Sequence, residues 1–124
     1  MNWVWTWSGK SFGYVDGEDL WTYDGRHVGK LRNSEIYGPD GQYLGEIQHL
    51  NRLLTNVDKK GKQTQPFTRL KQRIAHYPYA DCTAKFLHLG YEDFAQPKDC
   101  KQRTKLGVPV YDLDQESTIK ERPT

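Results

Sequence analysis

His76, Cys82 and His88 follow one another at six-residue intervals, and Cys100 comes later. Imidazole and thiolate are the ligands zinc prefers, but zinc sites pair them as Cys-x2–4-Cys or His-x3–5-His. Six is the wrong interval, so these side chains read as small thiols and imidazoles, packed or solvated, and no metal is expected. Glu92 and Asp93 are neighbouring carboxylates. Together with His76 or His88 they could do acid–base work between the two halves of the chain. Neighbouring carboxylates are also common in surface loops. The chain lacks a Gly-rich phosphate loop ending in Lys-Ser/Thr, a His-Glu-x-x-His and a Gly-x-Ser-x-Gly. The residues therefore imply no cofactor, and an enzyme ranks below a binding module.

Two sets of residues could bind. Lys59, Lys60, Lys62, Arg69, Lys71 and Arg73 form a basic stretch with Asp58 as the one acid beside it. Such a run can meet phosphate or an acidic partner, and is more often a solvated face. The second set is aromatic: Trp3, Trp5, Trp7, Trp21, Tyr23, Tyr37 and Tyr43. Trp and Tyr rings anchor protein interfaces and stack on sugars. Trp5, Trp21 and Tyr37 recur in register and belong to the core. Trp7, Tyr23 and Tyr43 lie near turns and are the expected binding surface, with a protein as partner. A glycan or other small ligand is the alternative.

The whole chain limits these readings. With 124 residues it fits one domain with an appended lobe. Its 18 basic and 16 acidic residues leave a formal charge of +2, too balanced to favour nucleic acid by field alone. Aromatic residues are 13% of the chain, which suits packed β-structure. No apolar run approaches the roughly 20 residues that cross a bilayer. The N-terminal residues have no basic region followed by an apolar one, so a cytoplasmic protein with reduced thiols is expected. Whether Cys82 and Cys100 pair stays open.

The elements that must position these residues come from an internal repeat. Gly9, Gly25 and Gly41 are sixteen residues apart. Gly13, Gly29 and Gly45 keep that interval, as do Trp5, Trp21 and Tyr37, then Phe12, Val28 and Leu44, then Val15, Leu31 and Ile47. Five classes of position in register define a repeat. Ser8-Gly9, Asp24-Gly25 and Asp40-Gly41 predict two-residue hairpin turns with positive φ at both central positions. That turn would set Tyr23 opposite Arg26, Thr22 opposite His27, Trp21 opposite Val28 and Leu20 opposite Gly29. It would likewise pair Trp5 with Phe12 and Tyr37 with Leu44. Val4, Leu20 and Ile36 would take the other face, with glycines where neighbouring hairpins crowd. The links are short, so successive hairpins are neighbours. The fold expected is mainly β: a radial array of three to four β-hairpins with a pseudo-fourfold repeat. The fourth copy, from Leu53, has slipped, and its second strand is not restored.

The segments Val4–Val15, Trp21–Leu31 and Ile36–Ile47 resemble the bacterial 4-fold β-flower proteins. The resemblance covers roughly residues 3–66. It implies four hairpin petals about a pseudo-fourfold axis and transfers no functional residue.

The hairpin domain is expected over 1–66, with 67–124 packing on it or capping it. Phe67, Leu70 and Ile74 fit a helix from Pro66, with a strand as the alternative. Asp81 could cap a helix from Cys82 to Leu89 that ends at Gly90 and docks Phe86, Leu89 and Phe94 on the petals. Leu106–Tyr111, broken by Pro109, is an edge strand at best. The tail from about 114 is polar and frayed.

Overall fold

The computed structural model describes residues 1–100 and the backbone of 102–103 and 109–110. The repeat folds as hairpins. The first joins β1 (Asn2–Thr6) to β2 (Ser11–Asp16), the second β3 (Asp19–Thr22) to β4 (His27–Arg32), and the third β5 (Glu35–Tyr37) to β6 (Tyr43–Gln48). β7 (Arg52–Asn56) follows. The seven strands run as a continuous antiparallel meander, and β1 pairs β7 in parallel to close the ring. The fourth hairpin is completed from a distance. β8 (Tyr91–Asp93) pairs antiparallel with β7, setting Leu54 opposite Asp93. Further on, β9 (Gln102–Arg103) pairs with β10 (Pro109–Val110), inside the segment expected to hold an edge strand. The tail expected from about 114 lies outside the described residues.

The tips correct the expected register. Thr6, Thr22 and Gly38 each accept the N–H of Gly9, Gly25 and Gly41 and donate to Lys10, Arg26 and Gln42. Each loop thus has three residues, and only its glycine has positive φ: +97° at Gly9, +91° at Gly25 and +86° at Gly41. This is the three-residue hairpin, a tight turn followed by a left-handed residue. Pro39 opens the third loop, where no ladder N–H is needed. The two-residue turn with both φ values positive occurs instead in a link, at Asn33-Ser34 between Arg32 and Glu35, while the link from Gln48 to Arg52 has three residues, with positive φ at His49 and Leu50.

The longer loop is compensated by a β-bulge in every copy. Val4 pairs Gly13 but Trp5 pairs Ser11; Leu20 pairs Gly29 but Trp21 pairs His27; Ile36 pairs Gly45 but Tyr37 pairs Tyr43. The extra residues are Phe12, Val28 and Leu44. Leu20 opposite Gly29 is as expected; the pairings nearer the tip are not. A bulge swings its extra residue out of alternation. Phe12 and Val28 therefore join Val4, Leu20 and Ile36 in one core with Val15, Leu53 and Phe94, and Leu44 packs at its edge. Trp21 and Tyr37 are buried as expected, and Trp5 is partly exposed.

The strand glycines sit where one hairpin meets the next. A Cβ on Gly13 would lie 1.9 Å from the Trp21 carbonyl oxygen, and one on Gly45 2.4 Å from that of Leu54 and 2.7 Å from the Phe94 ring.

Residues 66–74 and 82–89 form neither of the helices considered. They belong to a strap with almost no regular secondary structure, residues 62–90. Asp81 does not cap a helix; its carboxylate accepts the Ser11 N–H at 2.9 Å. Phe94 docks in the core as expected, whereas Phe86 and Leu89 point away from it.

Candidate functional site

The strap leaves the fourth hairpin and visits the other three tips in reverse order. At the third tip, Thr64 donates its N–H to Gly41 at 2.8 Å and Phe67 to Pro39 at 3.1 Å. At the second, Arg73 donates to Gly25 at 2.8 Å and His76 to Tyr23 at 2.7 Å. At the first, Cys82 donates to Gly9 at 2.7 Å and Lys85 to Trp7 at 3.0 Å. The hairpins repeat every sixteen residues and the strap answers every nine. Side chains of the hairpins hold strap carbonyls in turn. Trp5 Nε1 donates to Ala80, Trp7 Nε1 to Phe86 and Arg52 Nη2 to Thr83, at 2.8, 2.8 and 2.7 Å. The contacts are to main chain, so they fix the strap's path without using up its side chains.

Asp81, Arg73, His76 and Phe67 turn their side chains to the petals, and other strap side chains form the outer surface. Ile74 is 85% exposed, Tyr77 95%, Phe86 97% and Leu89 101%. Each follows a residue that touches a hairpin: Arg73, His76 and Lys85 by their N–H groups, and His88 by its ring, 5.6 Å from Trp7. Exposed apolar side chains that form a contiguous patch mark a place of contact.

Of the expected binding rings, Trp7 and Tyr43 are only 2% and 6% exposed. The strap covers Trp7, and Tyr43 donates its hydroxyl to Glu46 at 2.9 Å while accepting the Asn56 N–H. Burial raises the Tyr43 phenol pKa. An open ring surface at the tips is therefore corrected for these two. Tyr23 keeps part of its surface and lines a cavity of about 180 Å³ with Lys10, Ser11, Tyr79 and Asp81.

The basic stretch is dispersed into ion pairs. Lys59 meets Glu35 at 2.8 Å and Glu46 at 2.9 Å, Lys62 meets Glu35 at 3.0 Å, and Lys60 meets Glu92 at 2.8 Å. Lys59, Lys62 and the Tyr37 hydroxyl pull the Glu35 carboxyl down to about 2. Arg73 binds Asp16 at 2.9 Å and lies over the Trp21 ring at 4.0 Å. Arg69 is partly buried and Lys71 exposed on the strap.

The possible ligand atoms are not brought together. His76 packs on Trp3 and Tyr14, His88 on Trp7 and Tyr91. Cys82 is an exposed free thiol beside the first tip. Cys100 is a second free thiol, pushed up to about 11 by burial. Among the described residues no three His, Cys, Asp or Glu side chains form a metal-sized group. Asp93 accepts the N–H groups of Ser8 and Phe94, so the Glu92–Asp93 pair is engaged in the fold. Among the described residues no helix is long and apolar enough to cross a membrane.

A family model described as 4-fold beta flower protein matches residues 1–89. The chain belongs to that family. The match runs past the hairpins and takes in the strap to Leu89. Comparison with curated proteins gave no match, and comparison with solved structures gave none. The strap is what the sequence reading missed in this flower. Thr64, Arg73 and Cys82 share no side-chain type, nor do Phe67, His76 and Lys85. The one trace in the sequence is that Pro66 and Pro78, which lack an N–H, avoid every donor position.

Proposed function

We propose that this flower is a non-catalytic display module that binds a protein partner through its strap. The observation that carries the reading is the near-complete exposure of Ile74, Tyr77, Phe86 and Leu89 on a backbone fixed to three petals. A fixed backbone lowers the entropy lost when such side chains are buried by a partner. Tyr and Phe are enriched at the centres of interfaces. The free thiols of Cys82 and Cys100 fit a reducing, cytoplasmic setting.

The test is co-purification of the tagged full chain against a variant carrying Ile74→Ser, Tyr77→Ser, Phe86→Ser and Leu89→Ser. The variant should keep its circular dichroism spectrum and lose a stoichiometric protein captured by the wild type. Equal capture by both would refute the reading.

A second reading, glycan binding, is favoured by the cavity where Tyr23 and Tyr79 stand beside Lys10, Ser11 and Asp81. Titration with a panel of monosaccharides, followed by tyrosine ring resonances, tests it. Unchanged rings at millimolar sugar would end it.

A further inference from the structure

His27, on β4, lies beneath the middle of the strap with its side chain fully buried. Its Nδ1 accepts the N–H of Leu70 at 2.9 Å. An imidazole nitrogen that accepts carries no proton, so the ring is neutral with its hydrogen on Nε2. Nε2 is 2.9 Å from Asp19 Oδ1 on β3, and Lys30 Nζ is 3.2 Å from that same oxygen. Trp21 stacks on the ring at 5.0 Å, and Phe67 of the strap lies at 5.2 Å. The charged groups acting on the imidazole are thus Asp19 and Lys30; Trp21, Phe67 and Leu70 bring no charge.

We propose that His27 is a proton-sensitive latch that governs how the strap is held, and with it the apolar surface assigned above to a partner. A proton from solvent binds Nδ1, and the acceptor becomes a donor. The Leu70 N–H then faces another N–H and must turn to water. No other bond forms or breaks. The six N–H groups at the tips, from Thr64 to Lys85, are held by main-chain carbonyls, which do not titrate in this range. Leu70 differs because its acceptor does. Acid should therefore free the strap between the third and second petals and leave both ends tied. Leu70 lies within that stretch and is itself half exposed, so its presentation changes first, and Ile74 and Tyr77 are the exposed apolar side chains nearest to it. Burial resists the proton and lowers the His27 pKa, while Asp19 attracts it. The latch stays shut at neutral pH and opens on acidification.

As regulation, this rests on the partner reading; the latch itself can be measured without a partner. In the full chain, amide exchange at Leu70, corrected for its intrinsic pH dependence, is followed by NMR from about pH 7.5 downward alongside the His27 ring resonances. Protection of Leu70 should fall at least about tenfold in step with His27 protonation, while Thr64 and Cys82 stay protected. Leu70 protection that survives protonation of His27 overturns the latch, as does simultaneous loss at all three amides. Asp19→Asn should move the Leu70 transition to lower pH; an unmoved transition assigns the proton elsewhere and also overturns it. Failure here leaves the partner reading intact, and failure of partner capture leaves the latch intact.

Discussion

The N–H of Arg73 donates to the carbonyl of Gly25 at 2.8 Å, and the Arg73 carbonyl crowds the same glycine so closely that a Cβ there would lie 2.1 Å from its oxygen. Gly9 and Cys82 stand in the same relation, as do Gly41 and Thr64, at 2.0 and 2.2 Å. The tip glycines thus satisfy two demands: a left-handed turn and room for the strap.

Comparing two glycines separates those demands. Gly17 has φ +65° with open space around it, whereas Gly25 has φ +91° and the strap against it. Gly17→Ala should cost about 1–2 kcal/mol, the ordinary strain of a left-handed alanine. Gly25→Ala should cost roughly 1–3 kcal/mol more, through the displaced strap and its lost hydrogen bonds. Urea denaturation of both variants measures the difference. Equal costs would mean that the strap contributes nothing to stability.

Phe94 closes the core at the petal that comes from farthest along the chain. It is buried against Phe12, ring centroids 5.4 Å apart. Phe94→Ala should destabilise by about 3–5 kcal/mol. If the chain remains as stable as wild type, β8 is not part of the ring's cooperative core.

Arg52 ties the ring's closure to the strap. Buried in β7, it donates to the Trp7 carbonyl at 3.1 Å and to that of Thr83 at 2.7 Å. Arg52→Met keeps much of the apolar stem, removes the Arg52 donor from both carbonyls and leaves Lys85 as the donor to that of Trp7, at a cost of about 1–3 kcal/mol. Exchange of the Lys85 amide, bonded to that same Trp7 carbonyl, should quicken before that of Arg73. Unaltered exchange at Lys85 would separate Arg52 from the strap.

Stability should fall with acid in two stages. His27 has a lowered pKa in the folded chain, so the unfolded chain binds the proton first. That contribution is complete above the ordinary imidazole value near 6.5 and is lost as pH drops below it. Glu35 is pulled from 4.5 to about 2, so its contribution is present above 4.5 and lost as pH falls toward 2. Melting temperatures over this range should decline in both windows, and His27→Gln should remove the first. A flat profile between neutrality and pH 4.5 would contradict the His27 stage.

Much of the flower is legible in its residues. The sixteen-residue interval yields the hairpins, their order and the crowding of Gly13, Gly29 and Gly45, because each depends on a side chain or on its lack. The bulge was not legible. Phe12, Val28 and Leu44 fit either face by type, and the choice depends on a one-residue difference in loop length that Asp-Gly permits both ways. The fourth petal was half legible, since β7 carries the pattern while β8 lies beyond the strap.

The candidate site was the least legible part. Trp7 and Tyr43 carry the chemistry of binding rings, but burial is decided by what crosses over them. By itself the sequence determined the petals, since side-chain size, alternation and glycine positions are written in residue types. Only the tertiary structure decided the strap, the ring's closure and the surface they expose. The strap is held mainly by main-chain N–H groups, and nearly every residue type supplies one.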